Sequence, residues 1–226
     1  MRASTNAAVV SFGGASSGTP RGIARLHALR YAAAVLVDFQ NAFIALVADE
    51  QVRGRFLTDP DGALEEMSCE LSSRERTALK NIPADELVAY AHSLIEKRWS
   101  EVQRVVPMTT RVAPSLRARY RQWALRNPAR AMECQLSPGA AEALRACEVM
   151  RAALADPREA TYAAQLWQFE VLRAASRGDG TMRELSTDYS VHELVSDIAR
   201  GLLPIDPTPC ATQYEFSRDR LGVKRK

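Results

Sequence analysis

The stretch from Phe56 to Pro107, FLTDPDGALEEMSCELSSRERTALKNIPADELVAYAHSLIEKRWSEVQRVVP, reads as a punctuated series of amphipathic helices. Asp59 is placed to cap a helix whose first turn holds Pro60, where a missing N–H removes no needed bond, and that helix is expected to run to Met67. Ser72 and Glu75 have capping-box spacing, so each can satisfy an orphan backbone donor at the start of the next helix. Pro83 opens a longer one with Leu87, Tyr90, Ala91, Leu94, Val102 and Val105 on its apolar side. Glu86, Glu96, Lys97 and Arg98 lie on the remainder, and Pro107 ends it.

Helical periodicity continues on both sides. Leu26, Leu29, Ala33, Leu36, Phe39, Phe43 and Leu46 recur at steps of three and four. Val112, Leu116, Tyr120 and Trp123 predict one further helix that stops before Asn127-Pro128, with Arg111, Arg117, Arg119, Arg121 and Arg126 on its other face. Ser137-Pro138 opens the next helix, to about Ala155, and Asp156-Pro157 opens another through Ser176. Arg177-Gly178-Asp179-Gly180 is a break, and past it the period changes. Met182 to Asp188 predicts a strand, and Val191, Leu194, Val195, Ile198 and Leu202 a helix ending at Gly201 and Pro204. Tyr214, Phe216, Leu221 and Val223 fall in two short segments around Ser217-Arg218-Asp219-Arg220, as in a hairpin. The expected fold is α+β, mostly α: a disordered arm over 1–24, a helical domain over 25–155, and a connecting helix plus small α+β module over 156–226.

Composition is that of a soluble globular chain, 46% hydrophobic and 25% charged, and 226 residues supply a core without staples. The net charge of +3 demands no general grip on nucleic acid. Cys69, Cys134, Cys147 and Cys210 form no C-x-x-C pair and have no histidine at ligand spacing, which argues against a disulfide framework or zinc site and for reduced cysteines in the cytoplasm. The apolar stretch YAAAVLVDFQNAFIALV carries Asp38, Gln40 and Asn41 in its centre, which disfavours a membrane span.

Chemistry-bearing patterns are sparse. His27, His92 and His192 fall in three different predicted helices, and G-x-S-x-G, G-x-G-x-x-G and H-E-x-x-H are absent. The arginine-rich face with Tyr120 and Trp123 has the ingredients of a nucleic-acid surface, but its aromatics share the apolar stripe and are expected to face inward. Trp99 and Trp167 suit a core or the centre of an interface equally well. A three-stranded terminal sheet leaves an exposed edge that can accept an extended peptide as another strand. On that argument, with the adjacent helix, Tyr214, Phe216, Val191 and Leu194 are the expected peptide-binding residues.

The FL-x-DP segment at Phe56–Pro60, LSSRE, ELVAYAHSLIEKRWSEVQRVVPMT, SLRARYRQWALRNP and YSVHELVSDIARGLLPI together resemble the partner subunits of multinuclear non-haem iron-dependent oxidative enzymes. These enzymes modify ribosomally made peptides, and the resemblance is nearest to the MbnC-type partners of methanobactin biosynthesis. It covers roughly residues 36 to 224, leaving out the Gly/Ser-rich arm. It implies a non-catalytic subunit without cofactor of its own, whose winged-helix-like terminal module binds the leader of a cysteine-containing precursor peptide. The iron would belong to a separate oxidase subunit, with which the chain forms a heterodimer and which converts cysteines to oxazolone and thioamide groups. Two other readings stay open: a winged-helix DNA-binding regulator, and an enzyme with a spatially assembled Cys-His pair.

Overall fold

Asp49, Asp59, Ser72 and Ser137 fix where helices start, each side chain accepting a backbone N–H of the first turn it precedes. The computed structural model describes residues 37–129 and 135–225. The expected N-terminal arm, Leu26, Leu29, Ala33 and Leu36 of the first apolar stripe, His27 and Cys134 lie outside the described residues. Helix α1 occupies 37–48 and is followed by α2 (Glu50–Thr58), α3 (Pro60–Glu66), α4 (Ser73–Lys80) and the long α5 (Ala84–Val105). The Ser72–Glu75 capping box forms in both directions. Arg53, itself buried, donates to the carbonyls of Leu46 and Val47 at 3.2 and 3.0 Å, satisfying the last turn of α1.

The single helix expected around Val112 to Trp123 is two, α6 (Pro107–Val112) and α7 (Leu116–Arg126). Ala113 breaks them apart at φ −124°, ψ 82°, because Pro114 disfavours the α region for the residue before it. Helix α8 (Pro138–Leu154) starts where Ser137-Pro138 placed it. The next helix, α9 (Ala163–Asp179), starts later than Asp156-Pro157 suggested. Asp156 instead accepts the N–H of Arg158 two residues on, an Asx-type turn that competes with helix initiation. Gly180, at φ +73°, ends α9 in the left-handed conformation that glycine adopts without a Cβ clash.

Strand β1 (Arg183–Thr187), helix α10 (Val191–Ala199), and strands β2 (Thr212–Phe216) and β3 (Leu221–Arg225) complete the chain. The antiparallel sheet has the order β1-β2-β3, with Leu185 opposite Tyr214 and Tyr214 opposite Val223. The fold is thus α+β and mostly α, with the small antiparallel sheet at its C-terminal end.

Burial divides into three clusters. Ala42, Leu46, Phe56, Leu64, Leu79 and Leu87 bring α1 to α4 against the start of α5. Trp99, Val102, Leu116, Tyr120, Met150 and Trp167 join α5, α7, α8 and α9. Phe169, Leu185, Val191, Leu194, Tyr214 and Phe216 join α9 to the sheet and α10. Both Trp99 and Trp167 are therefore core residues. Helix α9 serves two clusters from opposite sides, through Trp167 and Val171 on one and Leu166 and Phe169 on the other.

The long helix α5 departs from its expected pattern at two positions. Tyr90 is 53% exposed, its ring set edge-on to Phe43 with centroids 6.2 Å apart. Arg98 is buried, its guanidinium paired with the buried Glu142 of α8 and donating to the carbonyls of Ala124 and Asn127 at 3.2 and 2.7 Å. Tyr120 donates to the same carboxylate at 3.0 Å, and Arg145 pairs with its other oxygen at 3.1 Å. One carboxylate thereby ties α5, α7 and α8 together.

Candidate functional site

Strand alternation decides which side chains of the terminal module can meet a ligand. In β1 and β2 the inward set is Leu185, Thr187, Thr212, Tyr214 and Phe216, all buried. Phe169 of α9 packs edge-on against Tyr214 and Phe216, ring centroids 4.9 and 5.3 Å away. Val191 and Leu194, on the inner face of α10, complete the same cluster.

The four expected peptide-binding residues all lie on the inside of this module. Tyr214, Phe216, Val191 and Leu194 are 0, 1, 0 and 5% exposed, so none presents a side chain to a partner. Their apolar character beside a sheet edge suggests contact with a ligand, and the same apolarity drives them into the core. Their role is to hold the sheet. Fully burying side chains of this size contributes roughly 1.5–3 kcal/mol each.

What they hold is an open edge. Strand β3 is paired with β2 on one side, and no other described element runs along it. Its side chains grow more exposed toward the end of the strand, Val223 reaching 39%. The turn fixes which backbone groups are free: Ser217 N–H donates to Arg220 O at 3.0 Å, making this the bonded pair that closes the hairpin. By the antiparallel alternation, the N–H and C=O of Leu221, Val223 and Arg225 then point away from β2. Arg225 also reaches back to Glu193 of α10, bracing the strand's end against that helix. In the sequence, counting from the Ser-Arg-Asp-Arg turn is the signal that finds this edge.

Near the start of α10, the N–H of His192 donates to the Tyr214 hydroxyl at 3.2 Å, and its Nδ1 lies 3.0 Å from the same oxygen. Burial raises the Tyr214 hydroxyl above its ordinary value, so it stays protonated and the contact positions the first turn of α10 over the sheet.

Four of the five arginines of the α6–α7 region find partners within the chain: Arg117 and Arg121 pair with Glu96, Arg119 with Asp156, and Arg111 donates to the carbonyl of Ile198. Tyr120 is buried and Trp123 half-buried, stacked under Arg145 at 5.4 Å. Cys147 is buried, which pushes its thiol up to about 11. His92 is exposed on α5, and His192 contacts Ser190 and Tyr214. Among the described residues no group of three or more His, Cys, Asp or Glu could hold a metal ion, and no helix is long and apolar enough to cross a membrane.

No protein-family model, curated protein or solved structure matches this chain.

Proposed function

We propose that this chain is the non-catalytic partner of an iron-dependent peptide-modifying oxidase and that it binds the leader of a ribosomally made, cysteine-containing precursor along β3. The observation that carries the reading is the unpaired outer edge of β3, whose Leu221, Val223 and Arg225 present backbone donors and acceptors beside α10. An extended leader adding there as a fourth strand gains ladder hydrogen bonds, and its alternate side chains meet Val223 and the facing surface of α10. The buried residues behind the edge keep it pre-organised, which lowers the ordering cost of binding.

The contribution to chemistry is proximity. Holding the leader turns the meeting of core cysteine and iron centre into an intramolecular event, with no reactive group needed on this subunit. The resemblance to the methanobactin-type partner proteins supplies the identity of the oxidase and of the modification, oxazolone and thioamide formation.

The test is co-expression of the tagged chain with a multinuclear iron oxidase and precursor peptide encoded beside its own gene. A one-to-one complex that oxidises the peptide only when the leader is intact, with neither subunit active alone, is expected. A well-folded chain that forms no complex, and instead binds duplex DNA with a steep salt dependence, would sink the proposal.

A further inference from the structure

A second surface lies where the end of α5, the first turn of α6, the second half of α9 and α10 meet. A cavity of about 380 Å³ there has apolar walls from Val105, Met108, Phe169 and Val195, and is lined by the guanidinium side chains of Arg104, Arg173 and Arg177. A neighbouring cavity of about 580 Å³ shares Arg104 and Pro107 with it and extends past Gln103 and Thr110, so the two form one furrow.

The charges in this furrow do not balance. Glu170 is its lining carboxylate, and both oxygens are already committed: Met108 N–H and Thr109 N–H donate to it at 2.9 Å each, and the Thr109 hydroxyl at 2.7 Å. Those bonds cap the start of α6 and leave little acceptor capacity for the arginines. Arg104 reaches Glu101 only in a solvent-exposed pair. Arg173 and Arg177 form no ion pair among the described residues, and the Nε of Arg173 is sealed from solvent without a hydrogen-bond partner. The two are spaced i and i+4 on α9, where like charges repel. Burial first, and then the Arg177 charge, push the Arg173 guanidinium below its ordinary value, outweighing the opposing attraction of Glu170.

We propose that this furrow binds an acidic peptide segment, one carboxylate side chain entering between Arg173 and Arg177 while an apolar neighbour lies against Val105 and Val195. Charge complementarity identifies the acid, since a planar carboxylate accepts from guanidinium forks in the geometry they present. The apolar walls beside the guanidinium groups, with the adjoining cavity past Arg104 and Pro107, favour an extended chain over a compact anion. Nucleic acid fits less well, because the one aromatic ring in the lining, Phe169, is 1% exposed and offers no stacking face. The furrow is distinct from the β3 edge, so the inference stands without the oxidase reading.

The test titrates the full chain into a fluorescein-labelled peptide of alternating glutamate and leucine and reads anisotropy. The comparators are the same peptide with glutamine for glutamate, and inorganic phosphate as competitor. The expected result is a preference for the glutamate peptide, weakened about tenfold or more by Arg177→Glu. Arg177 is exposed, so the variant should melt like the parent chain, and Arg173→Gln should weaken binding in the same direction. Val223→Pro, at the sheet edge, should leave this affinity unchanged. Equal binding of the glutamine peptide, parental affinity in Arg177→Glu, or displacement by phosphate as effective as by unlabelled peptide would each overturn the inference.

Discussion

Replacing Glu142 with alanine would strand two guanidinium groups, one of them inside the core. Arg98 is 8% exposed and its pairing with Glu142 joins helices far apart in sequence. Breaking a buried pair from one side typically costs ~3–5 kcal/mol, because the surviving charge stays desolvated. Glu142→Ala should therefore lower unfolding stability by about that much in urea titration, whereas Arg98→Met combined with Glu142→Leu should recover most of it. A double variant as unstable as Glu142→Ala would mean that packing, and not the stranded charge, sets the loss. Cys147 makes the opposite case of a quiet residue. Its thiol has an ordinary value of 9.0 and is pushed up to about 11, mainly by burial, so the folded state holds this proton more tightly than the unfolded state does. Its contribution to stability is thus complete below pH 9.0 and is lost as pH rises from there through about 11. Cys147 should resist thiol reagents at neutral pH until the chain is unfolded, and fast modification in the native state would contradict the burial. At this scale the sequence was least legible. Arg98 reads as a polar helix residue because its partner is on another helix, and Tyr90 reads as core because its spacing is right, although it is half exposed.

At the scale of elements, local punctuation was legible and long-range geometry was not. The caps at Asp59, Ser72 and Ser137 act within one turn, so three or four residues contain all the information they need. The Ala113 break was missed by the expectation of a single helix, although Pro114 carries the same kind of local signal. The closeness of α5 to α8 had no such signal. A Cβ on Gly139 would lie 2.3 Å from the carbonyl oxygen of Glu101, so glycine there lets two helices approach. Gly139→Ala should destabilise by ~1–3 kcal/mol through forced backbone shifts. Gly54, in α2, is the control, because a methyl added there would meet nothing within 4 Å: Gly54→Ala should stabilise by roughly 0.5–1 kcal/mol. Opposite signs in chemical denaturation would confirm that close approach, and not glycine content, makes the difference. The open sheet edge was half legible. Its strands and hairpin followed from alternation, but the expected contact residues lie behind the sheet, because alternation alone does not say which face is covered. Val223→Pro removes one outward N–H and no β2 ladder bond, so it should keep the fold while weakening leader binding by several-fold or more. Unchanged leader affinity with native circular dichroism would rule out strand addition at β3.

The three clusters of the whole molecule are unequally tied together. Helix α9 stands between two of them, packing extensively on α8 from one side and carrying Phe169 into the sheet module on the other. Opening either cluster therefore exposes one face of the same helix, and the two should behave as one cooperative unit. The layer of α1 to α4 shares α5 with the second cluster, but only by the start of that helix, where Leu87 is buried and Tyr90 meets Phe43. It also meets the remainder through a narrow touch of α2 on α7. Its helices α2, α3 and α4 are short, at 9, 7 and 8 residues, and such segments owe their stability to packing and very little to helix propensity. This layer should open first. In native-state hydrogen exchange, amides of α2 to α4 should exchange through an opening that costs less than global unfolding, while the central turns of α8 and α9 should exchange only through the global event. Leu64→Ala removes a fully buried side chain of that layer and should cost ~2–5 kcal/mol locally. If the layer opens on its own, this change lowers protection across α2 to α4 and leaves α8, α9 and leader binding at β3 near their parental values. Equal loss of protection throughout would instead make the three clusters a single cooperative core.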